Sequence, residues 1–345
     1  MIAGSLLSCE VAVISDWDVD GIVSAAEIVY AQEFLGVYPI KRRCRVRLLP
    51  ASAHTFSQAV HEISGDSYDV VVVLDIPYTR NLIRGLKILR RISKSIVYVD
   101  HHISTMIHMD KLENMVDELI VTRAPTALTV AHMLRSIGAR LSPRLEVFMR
   151  AASTIERGAK SSLPSTQRNI LKLVVAISQT LSQTKDRTLW ERLVRWLSSP
   201  ISFTAMPFSQ SLESIVGGKD RKAHMDEVKA LANELAIEAL KVYNLRLVDV
   251  RRKKLSNVKL TTLASALHRI FRAPVALIGY SKRSGTPLLI LRSRDDLPYR
   301  LALKLWKDGI VSEVGGHQSI AICVLKQDYS VAELASVLRR ALVSV

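Results

Sequence analysis

Over the first hundred residues, short apolar runs alternate with stretches whose apolar positions recur every three or four residues. The runs at 11–15, 46–49, 70–74 ("VVVVL") and 95–99 read as strands, being β-branched and too short for helices. The stretches 21–33 and 81–92 read as helices between them. Strands apolar on both faces, alternating with helices, predict a parallel sheet covered on both sides. From 126 to about 197 the pattern is mostly helical, punctuated by Pro125, Pro143 and Pro164.

Periodicity then lapses over "SSPISFTAMPFSQSLESIVGGKD" (198–220), rich in Ser, Pro and Gly. A long amphipathic helix is predicted at 221–242. Strands follow at 245–250, 275–280, 288–292 and 320–325, with helices at 262–271, 299–307 and 331–343. The chain therefore reads as an α/β protein of two domains, 1–197 and a smaller 226–345, joined by a linker over 198–225.

The chemistry lies where the buried strands end. The first strand runs into "DWDVDG", which puts Asp16, Asp18 and Asp20 within five residues. The "VVVVL" run exits into Asp75, and "SIVYV" exits into Asp100, His101 and His102. In an open parallel sheet, ligands bind beyond the carboxyl ends of the strands. Singly these residues have plain roles: Asp20 as a helix cap, Asp75 in a turn, the histidines in a loop. Together at successive strand ends they form a set of repelling carboxylates that needs a counter-charge. A divalent cation, or two, supplies it, and oxygen donors with imidazole suit Mn²⁺ or Mg²⁺. Paired cations serve phosphoester hydrolysis by activating water and neutralising phosphoryl charge.

Composition narrows the class further. The 345 residues are 48% apolar, enough for two cores, yet no apolar run is long enough for a membrane span. The N-terminal "MIAGSLLSCEVAV" has no basic leader and contains Glu10, so a cytoplasmic protein without a cleaved signal is expected. Cys9, Cys44 and Cys323 stand far apart with no CxxC spacing, and are expected as small buried hydrophobes. The formal net charge is +16. Residues 241–310 hold 16 Lys and Arg against four Asp and Glu, a net +12, and "KRRCRVR" forms a smaller cluster at 41–47. Such blocks favour a polyanionic partner.

"DWDVDG", the lone Asp75 and "VDHH" at 99–102 resemble the DHH phosphoesterase superfamily, and the aspartate motif is closest to its RecJ-like branch. "EVGGHQSIAI" (313–322) and "ILRSR" (290–294) resemble motifs of that superfamily's associated C-terminal domain. The resemblance implies a parallel-sheet DHH domain, a smaller domain with a mixed sheet, and an active-site cleft between them. It implies Asp16, Asp18, Asp20, Asp75 and His101 as metal ligands, with two Mn²⁺ or Mg²⁺ ions. His102 would face the substrate phosphate, and Asp100 would orient the pair of histidines. Arg292, Ser293, Gly315, Gly316 and His317 would bind substrate. Two positions depart from the family pattern. Glu156, in "ASTIERG", stands nearest the place of a further ligand that is usually Asp, and Val314 replaces the first glycine of a Gly-Gly-Gly-His signature.

The function expected is a metal-dependent phosphodiesterase, an exonuclease on short single-stranded RNA or DNA. A hydrolase of pAp or dinucleotides, and a non-catalytic scaffold of a replication or repair complex, are the alternatives. The partners expected are oligonucleotides or small nucleotides, without a membrane, and a homodimer is compatible with the family.

Overall fold

The computed structural model describes residues 9–156, 165–200, 219–253, 255, 258–282 and 284–345. The chain forms two compact units, Met1–Val216 and Gly217–Val345. Most of the expected linker, 201–218, lies outside the described residues, as does the Pro164 breakpoint.

The first unit begins with β1 (Glu10–Ser15), α1 (Val19–Val29), a π-helical turn (Tyr30–Leu35), β2 (Arg45–Pro50) and α2 (Phe56–His61). Next come β3 (Tyr68–Leu74), α3 (Arg80–Ile92), β4 (Ser93–Asp100), α4 (Ile103–Ile107), α5 (Met109–Glu113) and β5 (Glu118–Val121). Helices α6 (Thr126–Ser136), α7 (Pro143–Glu156), α8 (Ser165–Thr184) and α9 (Arg187–Ser198) complete it.

Its strands form a parallel five-stranded sheet in the order β2-β1-β3-β4-β5. Alternation along β1 explains the two-sided covering. Val11 and Val13 pack with α1, α6, α7 and α9, whereas Ala12 and Ile14 pack with α2 and α3. The connection from β1 to β2 goes one way across the sheet, and β3, β4 and β5 extend the other way. The order therefore reverses between β1 and β3, and a crevice opens beyond their carboxyl ends at such a point.

The second unit holds α10 (Lys219–Ile237), β6 (Leu240–Val242), β7 (Leu245–Asp249), α11 (Leu260–Phe271), β8 (Val275–Tyr280) and β9 (Pro287–Arg292). It ends with α12 (Leu297–Lys307), β10 (Val311–His317), β11 (Ile320–Leu325) and α13 (Val331–Val343). The sheet order is β10-β11-β9-β8-β7-β6, mixed because β7 and β8 are parallel and the other pairs antiparallel. Val228, Ala232 and Leu235 of α10, with Leu263, Ala264 and Leu267 of α11, bury one face against Val248, Leu277 and Ile290.

The expected α/β class and the two kinds of sheet are observed. Four local expectations are corrected. The helix expected at 221–242 stops at Ile237, and Leu240–Val242 pairs antiparallel with β7 instead. Tyr243, in the left-handed region at φ 52°, makes the tight reversal between them. The helix expected at 21–33 starts at Val19, capped by the Asp18 side chain, and ends in the π-helical turn. Strands β5 and β10 were not anticipated. β5 has only four residues, and β10 contains Gly315 and Gly316, which carry little strand propensity. Finally, Cys9 and Cys44 form a disulfide joining the starts of neighbouring β1 and β2, while Cys323 is a buried free thiol. Register explains the pairing, since Glu10 lies opposite Arg45 and sets the preceding residues side by side.

Candidate metal centre

Three strand ends of the first unit deliver the acidic residues to one place. β1 ends at Ser15, and Asp16 follows, its backbone carbonyl accepting from Trp190 Nε1 at 3.0 Å. Asp18 caps α1 by accepting from the Gly21 N–H at 3.0 Å. A side chain at Gly21 would stand 2.5 Å from the Asp16 carbonyl oxygen, so only glycine lets the chain fold back this tightly. Asp20, in the first turn of the helix and 1% exposed, accepts from the N–H groups of Thr126 (2.6 Å) and Ala127 (3.1 Å). These are the first residues of α6, where unpaired N–H groups and the helix dipole favour an anion.

Asp75, directly after β3, adopts φ 58°. This left-handed conformation is uncommon outside glycine and marks a constrained site. Its carboxylate accepts from Thr126 Oγ1 at 2.9 Å and lies 3.3 Å from His101 Nε2. The same Nε2 is 3.7 Å from Asp20. His102 Nδ1 is 2.7 Å from Asp100 and 4.0 Å from Asp75, and the two imidazole rings are 4.8 Å apart. Asp100 is further held by the Thr105 hydroxyl and the His102 N–H.

Electrostatics separates the carboxylates into two kinds. Burial, together with Asp18, lifts Asp16 to about 7. Burial and Asp18 also raise Asp20, against the pull of His101. Burial, then Asp20 and Asp18, push Asp75 well above the usual carboxylate range. Burial and Asp18 lift Glu156, the last residue of α7, to about 7, while His101 pulls it down. Glu156 thus feels the same charges as the three-strand cluster. Asp100 behaves oppositely: burial pushes it up, but His102 beside and hydrogen-bonded to it holds it below the ordinary value. In return His102, which burial alone would lower, is raised to about 9 by Asp100.

The donor set fits a hard divalent cation. Asp75, His101 and His102 each offer a donor atom within 4.8 Å of the others. Around them Asp16, Asp20, Asp75 and Glu156 are all held above their ordinary pKa by burial and by neighbouring carboxylates. Carboxylate oxygens with imidazole, and no thiolate, match Mn²⁺ or Mg²⁺.

The residues expected to bind substrate lie in the second unit, gathered on adjoining strands. Arg292 ends β9, and its Nη1 donates to Ser319, to the carbonyl oxygen at 2.9 Å and the hydroxyl at 2.5 Å. The buried Ser293 donates its N–H to the same carbonyl at 3.1 Å. Ile320 pairs with both Arg292 and His317, so these two side chains share one face of the sheet. The two glycines differ. Gly316 has φ 95°, and a Cβ there would meet the Ile320 carbonyl oxygen at 2.2 Å, so the hairpin itself requires it. A Cβ on Gly315 would meet nothing within 4 Å, so its backbone faces open space.

Sequence reading missed Thr126, whose N–H and hydroxyl tie Asp20 to Asp75. Its one signal is position: it opens a helix directly after Pro125. It also missed Lys185, whose ammonium stands 5.1 Å from the Trp17 ring centre and draws the Asp16 pKa down.

At sequence level, no protein-family profile and no curated protein matches the chain. Solved structures do match in fold. A DHH-domain protein described as a member of a family of ribosomal proteins superposes with a TM-score of 0.55 at 15% identity, over 97% of this chain and 86% of its own. RecJ from Thermus thermophilus, in complex with Mn²⁺, gives 0.54 at 14% identity over 96% of this chain. This chain spans 52% of that RecJ. An exopolyphosphatase-related protein from Bacteroides fragilis gives 0.50 at 14% identity, covering 98% of this chain and 92% of its own. The fold is that of the DHH-domain proteins. Among the described residues no helix is long and apolar enough to cross a membrane.

Proposed function

We propose that this protein is a metal-dependent phosphodiesterase that cleaves short single-stranded oligonucleotides from an end. The observation that carries the reading is the convergence of buried Asp75, His101 and His102, with Asp16, Asp18, Asp20 and Glu156 close enough to feel one another's charge. The DHH fold, shared with a RecJ bound to Mn²⁺, agrees with it.

Asp16, Asp18, Asp20, Asp75, His101 and Glu156 would hold Mn²⁺ or Mg²⁺, as one ion or a pair. When bound, the metal supplies a water of lowered pKa and neutralises charge on the phosphoryl oxygens. The chain's own groups do the rest. Asp100 fixes the His102 ring through Nδ1 and draws its pKa up to about 9, which favours the protonated ring whose Nε2–H would donate to the phosphate. Thr126 fixes the orientation of Asp20 and Asp75. Arg292, Ser293, Gly315, Gly316 and His317 would hold phosphates that are not cut, so that binding away from the reacting bond positions it.

The basic block at 241–310 favours an oligomer over a dinucleotide, because two phosphates need few cations. Aromatic residues are only 6% of the chain, so phosphate contacts should dominate, and affinity should fall steeply with salt. The test is a time course on end-labelled RNA and DNA oligonucleotides and on pAp, with Mn²⁺ or with EDTA. Mn²⁺-dependent release of mononucleotides from one end is expected. Cleavage confined to pAp or dinucleotides would replace this reading with that of a small-nucleotide hydrolase, and binding without cleavage would point to a scaffold.

A further inference from the structure

A cavity of about 500 Å³ opens in the second unit, beyond the carboxyl ends of the parallel strands β7 and β8. Its walls are apolar: Val250, Val258, Leu260, Leu288, Ile290 and Ile322. Four cations stand among its lining residues. Arg251 is committed to Asp249 and Asp328, and Lys253 to Glu234 and Glu238. Lys259 and Lys282 are exposed, and Lys259 makes no ion pair among the described residues. Tyr280 also lines the cavity, 39% exposed, with its hydroxyl anchored to Asp328 at 2.5 Å. An aromatic ring fixed at the edge of an apolar pocket offers a stacking surface. The volume lies in the ordinary range for small-molecule sites, roughly 300–1,000 Å³.

Strand register relates this pocket to the residues proposed to grip phosphate. Ile322 of the pocket pairs with Ile290 and with Gly315, while Ile320 pairs with Arg292 and His317. Residues directly opposite share a face, so pocket and grip lie on the same side of one sheet. Along β9 the pocket's Leu288 and Ile290 lie four and two positions from Arg292, about 13 and about 7 Å at about 3.3 Å per residue. A nucleotide held at Arg292 does not reach the Leu288 wall.

We propose that this pocket seats a nucleobase of a single-stranded oligonucleotide, at a nucleotide remote from the Arg292–His317 end, with its flanking phosphates held by Lys259 and Lys282. The inference rests on the proposed oligonucleotide reading and adds where a longer strand is gripped. Apolar walls and a fixed ring suit a flat heterocycle, and exposed ammonium groups suit the phosphates beside it.

The test measures binding by the full chain in EDTA, so that affinity is read without cleavage. Fluorescein-labelled dA12 and the dinucleotide pdApdA are titrated against wild type, Lys259→Glu/Lys282→Glu and Leu288→Arg. Both variants are expected to weaken dA12 at least tenfold and to change the dinucleotide less than twofold. Leu288→Arg separates base insertion from simple attraction, because it blocks the pocket while adding positive charge. A dA12 affinity within twofold of wild type in both variants would overturn the proposal, as would tighter binding by Leu288→Arg or an equal loss for the dinucleotide. If Mn²⁺ supports no cleavage but the length-selective loss remains, the phosphodiesterase reading falls and the pocket stands. If wild type cleaves oligonucleotides and neither variant binds them less tightly, the pocket falls and the phosphodiesterase stands.

Discussion

Replacing Glu156 with Gln removes one negative charge from the cluster while keeping the side chain's length and shape. In the metal-free protein, burial and Asp18 hold the Glu156 carboxyl at about 7, against 4.5 for an ordinary glutamate. The folded state therefore keeps a proton that the unfolded chain gives up. Stability falls as pH climbs from 4.5 through about 7, because the unfolded state binds fewer protons across that window. At about 1.4 kcal/mol per unit, the full difference is about 3 kcal/mol above pH 7. Asp16 and Asp20 share the same field, which makes this an upper figure.

Glu156→Gln should then stabilise the metal-free protein at pH 8 by about 2–3 kcal/mol, or roughly 5–10 °C for a unit of this size. The gain should shrink towards nothing near pH 4.5. Bound metal should reverse the ranking. A ligand at a hundred times its Kd stabilises by about 2.7 kcal/mol, and the variant should gain less from Mn²⁺ than wild type does. The assay is thermal melting of both proteins at pH 5 and pH 8, with EDTA and with 1 mM Mn²⁺. A variant that melts no higher than wild type at pH 8 in EDTA would refute the electrostatic reasoning. An unchanged Mn²⁺ shift would remove Glu156 from the metal site.

Asp75→Asn should abolish Mn²⁺-dependent hydrolysis yet fold normally by circular dichroism, since Asn tolerates the left-handed backbone at φ 58°; Asp75→Val should also lower the melting temperature, because a β-branched residue is strained there. Glu27 is fully buried in α1, both carboxylate oxygens lack a hydrogen-bond partner among the described residues, and burial raises its pKa well above 4.5. Glu27→Leu should therefore stabilise the protein by about 1–3 kcal/mol at pH 8 and less at pH 5, measured by urea unfolding. Thiol titration in denaturant should find one reactive group, Cys323, before reduction and three after it.

The α/β class, the buried strands and the acidic residues at their ends were legible because each is local. "VVVVL" reads as a strand buried on both faces from its β-branched residues and short length, and Asp75 follows it whatever the rest of the chain does. The same holds for "DWDVDG", where cap, tight turn and charge cluster fall within six residues. What the tertiary structure decided depends on residues distant in the chain. Thr126 joins Asp20 to Asp75 across 106 and 51 positions, which no periodicity encodes. Glu156 entered the reading only through a family resemblance; the packing of α7 against α1 brings it into the field of Asp18 and Asp20. β10 was hidden because its glycines have no strand preference of their own and take their conformation from pairing with β11. The Cys9–Cys44 bond needed the register of β1 against β2. Local sequence sets which residues are buried and charged, whereas chain crossings set which of them meet, and catalytic and binding chemistry depends on the meeting.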